Sequence, residues 1–188
     1  MQNHYTYGDY LTWPDEFRVE LIDGECCVRE PPAPFGRHQG IVAGLHLQVG
    51  LALEGTSSYV YFAPFDVRLP KSTEADREVD TVVQPDLLVV SDRRKLDARG
   101  MRGAPDWVVE VLSPSNRRHD KVVKRAIYER AGVREYWLVD PEDEDLTIYL
   151  LEEGRYGRPT VLPLKGKVPI TVVPGLSIDW DRLLLRLT

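Results

Sequence analysis

The segment over residues 105–140 constrains this chain more than any other. Its apolar run Trp107-Val108-Val109-Glu110-Val111-Leu112 carries one carboxylate near its centre. An ionised carboxylate is costly to take out of water, so Glu110 needs a metal ion, a cationic partner or a shifted protonation equilibrium to stay there. That cost points to a catalytic site rather than a plain core. Ser113-Pro114-Ser115 ends the run, and a helical pattern bearing Asp120, Lys124 and Tyr128 follows. A second apolar run, Tyr136-Trp137-Leu138-Val139, then ends at Asp140.

The rest of the chain supplies elements to pack around this segment. Residues 6–13 read as a short helix with Thr6 as N-cap and Pro14 as stop. Residues 18–22 and 25–29 flank Asp23-Gly24, a pair suited to a two-residue β-hairpin turn. Over residues 37–53, Ile41, Leu45, Val49 and Leu53 recur at helical spacing. Residues 59–62 and 66–69 read as strands, and 71–80 as a polar, mobile loop. The near-continuous apolar runs at 82–90 and 107–112 suit central strands covered on both faces. A helix is expected over 116–131, capped by Ser115 or Asn116 and stopped by Gly132, with Val123 and Ile127 anchoring it to the sheet. Strands at 136–140 and 146–151 bracket the acidic turn Pro141-Glu142-Asp143-Glu144-Asp145, and 161–188 holds one or two short strands and a last helical turn near 180–185. The expectation is an α/β or α+β fold: one domain over residues 1–188, with a mixed central β-sheet flanked by helices and an N-terminal β-hairpin.

Charge and cysteine usage narrow the class. No apolar stretch approaches the roughly 20 residues that span a bilayer, and the first residues lack the basic-then-apolar pattern of a signal peptide. Cys26 and Cys27 are adjacent, which disfavours an ordinary disulfide, so a cytoplasmic location is the default. The net charge of −6 argues against non-specific coating of nucleic acid, whose affinity comes from Lys and Arg neutralising phosphates. Arg117, Arg118, Lys121, Lys124 and Arg125 nevertheless cluster, either as a solvated helix face or as a phosphate-facing one.

Asp86 follows Pro85 before Leu87-Leu88-Val89-Val90, so pairing of this strand with the Glu110 strand would bring two acids to one end of a sheet. Two close carboxylates repel, and a divalent cation is the usual way to keep both ionised. Oxygen ligands with few histidines favour Mg²⁺ or Mn²⁺ over zinc. The alternative is that each acid caps a strand or pairs with an arginine. Asp120, Lys124 and Tyr128 share a helix face at i, i+4 and i+8; Lys124 either serves a phosphate there or forms a surface pair with Asp120 worth only about 0.3–0.5 kcal/mol. His4, His38, His46 and His119 lack zinc-ligand spacing, and Ser113 lacks a nucleophile elbow. His38, near the start of its helix, can face the site or sit as a structural histidine.

Taken in order, these pieces resemble a known family. They are Arg18-Val19-Glu20-Leu21-Ile22-Asp23-Gly24-Glu25, then Gln84-Pro85-Asp86-Leu87, then Ala104-Pro105-Asp106-Trp107 through Ser115. Asp120, Lys124 and Tyr128 follow, and Gly132-Val133-Arg134-Glu135-Tyr136-Trp137-Leu138-Val139-Asp140 closes the series. The chain is similar, from about Tyr5 to Trp180, to the bacterial Uma-two family of restriction-endonuclease-like proteins within the PD-(D/E)XK nuclease superfamily. The resemblance implies a restriction-endonuclease-like core with a Mg²⁺-dependent site at one sheet edge. It implies Asp86 and Glu110 as metal ligands, Lys124 as the lysine and Glu20 as a supporting acid. The superfamily lysine usually stands two residues after the strand acid, where this chain has Leu112; Lys124 on the next helix takes its place, with Lys121 as rival. Asp106, four residues before Glu110, competes with Asp86 as first acid.

The leading expectation is a Mg²⁺-dependent endonuclease hydrolysing DNA, with Mn²⁺ as a substitute and a homodimer suited to cutting two strands. The rival is a catalytically inactive nuclease-fold module that binds nucleic acid or a protein partner. A third reading is a hydrolase of small phosphoesters.

Overall fold

The computed structural model describes residues 3–14, 19–28 and 36–187. In chain order its elements are α1 (Tyr7–Tyr10), β1 (Val19–Ile22), β2 (Glu25–Val28), α2 (Gly36–Leu53), β3 (Tyr59–Phe62), β4 (Val67–Arg68), β5 (Val82–Val83) and β6 (Leu87–Val90). Then come β7 (Leu96–Asp97), β8 (Gly100–Arg102), β9 (Trp107–Val111), a π-helical segment (His119–Lys124), α3 (Arg125–Ala131), β10 (Glu135–Asp140) and β11 (Asp145–Glu152). The chain closes with β12 (Arg155–Tyr156), β13 (Thr160–Pro163), β14 (Lys167–Pro169), β15 (Ser177–Asp179) and α4 (Trp180–Leu184).

A seven-stranded sheet in the order β12-β11-β10-β9-β6-β3, with β13 also paired to β11, forms the centre. It is mixed: β9 and β10 run parallel, whereas β6–β9, β3–β6 and β10–β11 are antiparallel. The parallel pair is joined by the π segment and α3, the helical crossover that two parallel neighbours require. A smaller sheet, β2-β1-β5-β4-β8-β7, carries the N-terminal hairpin, and β14-β15 pair separately.

Strand alternation sends the central sheet's side chains to two cores. Trp107, Val109 and Val111 of β9, with Trp137 and Val139 of β10, pack with Ile41, Leu45 and Val49 of α2 and with Ile178, Trp180 and Leu183. Val108, Leu112, Tyr136 and Leu138 face the other way, with Val67, Val83 and Met101 of the smaller sheet and Ile127 and Tyr128 of α3. Glu110 belongs by alternation to this second face. All residues of β6, β9 and β10 are buried, as their apolar runs predict.

Several boundaries differ from expectation. The run over 82–90 is two strands in two different sheets, because Gln84-Pro85-Asp86 interrupts it and proline cannot donate to a ladder. α1 is limited to Tyr7–Tyr10, with the Asp9 carboxylate taking the N–H and hydroxyl of Thr6. The hairpin turn forms as predicted, with Asp23 at φ 49° and Gly24 at φ 82°. Its flanking Arg18 and Arg29 lie outside the described residues, as does Thr188. The loop over 71–80 is pinned rather than mobile: Lys71 Nζ bonds Asp80 at 2.7 Å and Asp23 at 2.9 Å, and Asp76 bonds Arg68 at 2.7 Å. Unforeseen strands occur at β7, β8 and β12, and the C-terminal region holds three strands before α4.

The helix expected over 116–131 is mostly two segments, π-helical His119–Lys124 and α-helical Arg125–Ala131. Gly132 ends it at φ 90° as foreseen. Asn116 does not cap forward; its Oδ1 takes the N–H of Ser113 at 2.6 Å and tightens the turn after β9. In the wider π turn Val123 lies exposed, so only Ile127 of the expected pair anchors the helix. Such π turns inside helices frequently occur at functional sites.

Candidate active site

The β6–β9 register settles the relation of the two strand acids. Leu87 pairs with Val109 and Leu88 with Val108, so Asp86, one residue before β6, falls opposite Glu110. Both reach the end of the sheet where the parallel strands β9 and β10 terminate. In open α/β sheets that is the end at which binding crevices form.

Five elements, β1, α2, β9, the π segment and α3, supply side chains, together with the turn before β6. Glu110 Oε1 accepts hydrogen bonds from Lys124 Nζ at 2.7 Å and from the Tyr128 hydroxyl at 2.8 Å. Lys124 also reaches Glu20 Oε1 of β1 at 3.0 Å and Asp120 Oδ1 at 3.6 Å. Glu20 Oε1 takes the backbone N–H of Gln84 at 2.9 Å, and Glu20 Oε2 lies 3.2 Å from His119 Nε2. Asp86 Oδ2 takes the N–H of Val111 at 2.8 Å and meets His38 Nε2 of α2 at 3.3 Å. Glu20, Glu110, Asp120 and Lys124 have no exposed surface, and Asp86 keeps only 6%.

All four expected site residues, Glu20, Asp86, Glu110 and Lys124, are thereby at one locus. The competing residues are not. Lys121 turns to Asp140 at 3.5 Å. Asp106 stands at the opposite end of β9, where it takes the N–H of Ser91 at 2.6 Å and pairs with Arg134 at 2.7 Å. The Asp120–Lys124 pair is buried rather than on the surface. His38 faces the site, the first of the two options its position left open. The contact of His119 with Glu20 had no signal in the sequence, because His119 lies one residue off the Asp120–Lys124–Tyr128 face.

Burial and then the Glu110 charge push the Tyr128 hydroxyl well above its ordinary value, so it stays a donor at any physiological pH. Burial alone would lower His38, but the bond to Asp86 and its charge, with Glu110 behind, raise it above 6.5. The locus thus holds three carboxyl groups around one lysine and a fourth, Asp86, opposite Glu110, with two imidazoles at its edge. Among the described residues no three His, Cys, Asp or Glu side chains converge as a ready-made metal shell.

The basic cluster is largely consumed internally. Arg117 bonds both oxygens of Asp140 and also pairs with Glu142 at 2.8 Å and Asp143 at 3.1 Å. Arg125 lies 3.5 Å from Glu129 and over the Tyr149 ring. The Arg117–Asp140 contact ties the turn leading into the π segment to the end of β10. Burial would raise Asp140, but the N–H of Asp143, then the charge and bonds of Arg117, hold its carboxyl below 3.8. A lowered folded value means stability that is present above the ordinary carboxyl range and lost as pH falls through the folded value. Asp140→Asn is therefore expected to lower Tm most at neutral pH, with the gap to the parent closing below about pH 4. Thermal melts across that range check it, and a gap that stays constant would contradict it.

Residues 7–181 match the family model described as "Uma2: Putative restriction endonuclease". No curated protein matches this chain. Its fold is similar to that of the crystal structure titled "a putative nuclease belonging to DUF820" from Anabaena variabilis ATCC 29413. The TM-score is 0.76 at 20% identity, covering 97% of this chain and 99% of that one. Among the described residues no helix is long and apolar enough to cross a membrane.

Proposed function

The chain belongs to the Uma2 family of restriction-endonuclease-like proteins, and from that membership we propose that it is a Mg²⁺-dependent endonuclease hydrolysing phosphodiester bonds in DNA. Mn²⁺ is the expected substitute. The observation that carries this reading is the fully buried Glu110, set opposite Asp86 at the sheet's end with the Lys124 ammonium 2.7 Å away.

The donor set fits a hard divalent cation. The acids are all-oxygen donors, and Mg²⁺ is commonly held by one or two protein carboxylates, with waters and substrate phosphates completing its shell. Asp86 and Glu110 would hold it, and a bound Mg²⁺ would polarise the phosphate and lower the pKa of a water. Lys124 supplies positive charge for the pentavalent phosphorane-like transition state, and Tyr128 fixes Glu110 by donating to Oε1. Glu20 holds Lys124 from the second side, and His38 holds Asp86.

Cleavage of supercoiled plasmid and single-stranded DNA, compared in Mg²⁺, Mn²⁺ and EDTA, tests the proposal. Metal-dependent nicking is expected; absence of cleavage on every nucleic acid under all three conditions counts against it. The internal pairing of Arg117, Lys121 and Arg125 favours one rival: a catalytically inactive module of nuclease fold, binding a protein partner or nucleic acid. Metal binding without hydrolysis would move that reading ahead. We further propose a cytoplasmic protein and a homodimer, which would present two sites to two strands.

A further inference from the structure

We propose that Lys124 is the site's resident cation, and that its ammonium gives up Glu110 when a divalent ion binds there. Cation entry and the release of Lys124 toward a phosphate would then be one event. This rests on the reading of Asp86 and Glu110 as metal ligands.

Three observations carry it. Lys124 has no exposed surface, so its charge is compensated from within the protein: Glu110 at 2.7 Å, Glu20 at 3.0 Å and Asp120 at 3.6 Å. The Glu110 oxygen it occupies, Oε1, belongs to one of the two carboxylates assigned to the metal. Glu20, Glu110 and Asp120 are oriented around the ammonium, and among the described residues no three His, Cys, Asp or Glu side chains are arranged as a ready-made metal shell. An ammonium and a divalent ion cannot both sit on Glu110 Oε1 without like-charge repulsion in a poorly screened interior. Binding of one therefore works against the other. An ammonium engaged with three carboxyl groups is also unavailable to a phosphate until one contact breaks. The flexible four-carbon stem of lysine suits a group that changes partners, where a guanidinium fork would be held more rigidly.

The test uses the full chain without nucleic acid. Mn²⁺ binding is measured by calorimetry and by electron paramagnetic resonance on the parent and on Lys124→Met. Removing the competing ammonium is expected to tighten Mn²⁺ binding about tenfold or more. In parallel, acetylation of lysines on the parent is read by mass spectrometry with and without Mg²⁺. Lys124 is expected to resist without the metal and to gain reactivity severalfold with it, Lys121 serving as the internal reference. This second measurement needs no variant, so it decides the matter if Lys124→Met does not fold. Unchanged or weaker Mn²⁺ affinity in a folded Lys124→Met, or a protected Lys124 in Mg²⁺-saturated parent, overturns the exchange while leaving the metal assignment standing. Failure of both proteins to bind Mn²⁺ overturns the metal assignment and the exchange with it.

Discussion

Glu110→Gln is expected to lower metal-dependent phosphodiester cleavage by roughly 10³-fold or more while the protein stays folded. The amide preserves the shape of the side chain in the fully buried strand, so no cavity opens in β9. It does remove the formal charge that would attract a cation beside Asp86. Lys124 is not stranded by the change, because Glu20 at 3.0 Å and Asp120 at 3.6 Å still face its ammonium. That separates this variant from the removal of one partner of an isolated buried pair, which typically costs about 3–5 kcal/mol. The Tyr128 hydroxyl keeps an acceptor in the amide oxygen. A plasmid-nicking time course beside a thermal melt checks both halves. Activity within a few-fold of the parent, in a protein that melts normally, would remove Glu110 from the chemistry. Asp86→Asn is expected to behave alike, since its backbone partner Val111 N–H accommodates an amide oxygen equally well.

Glu110 was legible in the sequence because charge inside an apolar strand is expensive wherever the strand goes. Asp86 needed one more fact, the antiparallel pairing of its strand with β9; a shift of one residue would have turned it to the other face. The inward face of Asp120, Lys124 and Tyr128 followed from helical spacing, but spacing alone does not distinguish a buried face from a wet one. The π turn was invisible, since it depends on how the segment fits over the sheet and not on composition. It leaves Val122 and Val123 exposed where an amphipathic α-helix would predict burial of one of them. The split of residues 82–90 was signalled by Pro85, whose missing N–H forbids a continuous central strand, but the apolar run on both sides concealed it. His119 could not have been found, because a contact across 99 positions with Glu20 exists only after β1 and the π segment are packed together.

The largest effect on stability away from the site is expected at Arg68. This residue sits in β4 with 1% of its side chain exposed and ties together four parts of the smaller sheet and its surroundings. Its guanidinium bonds Asp76 at 2.7 Å, Asp97 of β7 at 2.6 Å and the carbonyl of Met101 in β8 at 3.1 Å, and it lies 5.1 Å from the Tyr7 ring centroid. Methionine can retain the stem's packing, but none of these polar contacts. The Met101 carbonyl loses its side-chain donor, and Asp76 and Asp97 lose the guanidinium that bonds both, although Arg102 still lies 3.5 Å from Asp76. Because both acids keep a third or more of their surface in water, water offsets part of their loss. Arg68→Met is accordingly expected to destabilise the protein by about 2–4 kcal/mol, below the upper end for a wholly buried pair. Denaturant unfolding checks the value, and a change under about 0.5 kcal/mol would contradict the role assigned to Arg68. The effect should reach the site through β5: Val82 of that strand pairs with Arg68, and Gln84 just beyond it donates its N–H to Glu20. A loosened smaller sheet should therefore weaken Glu20's hold on Lys124, so cleavage by Arg68→Met should fall at temperatures well below its own melting point, whereas the loss in Glu110→Gln should be present at every temperature.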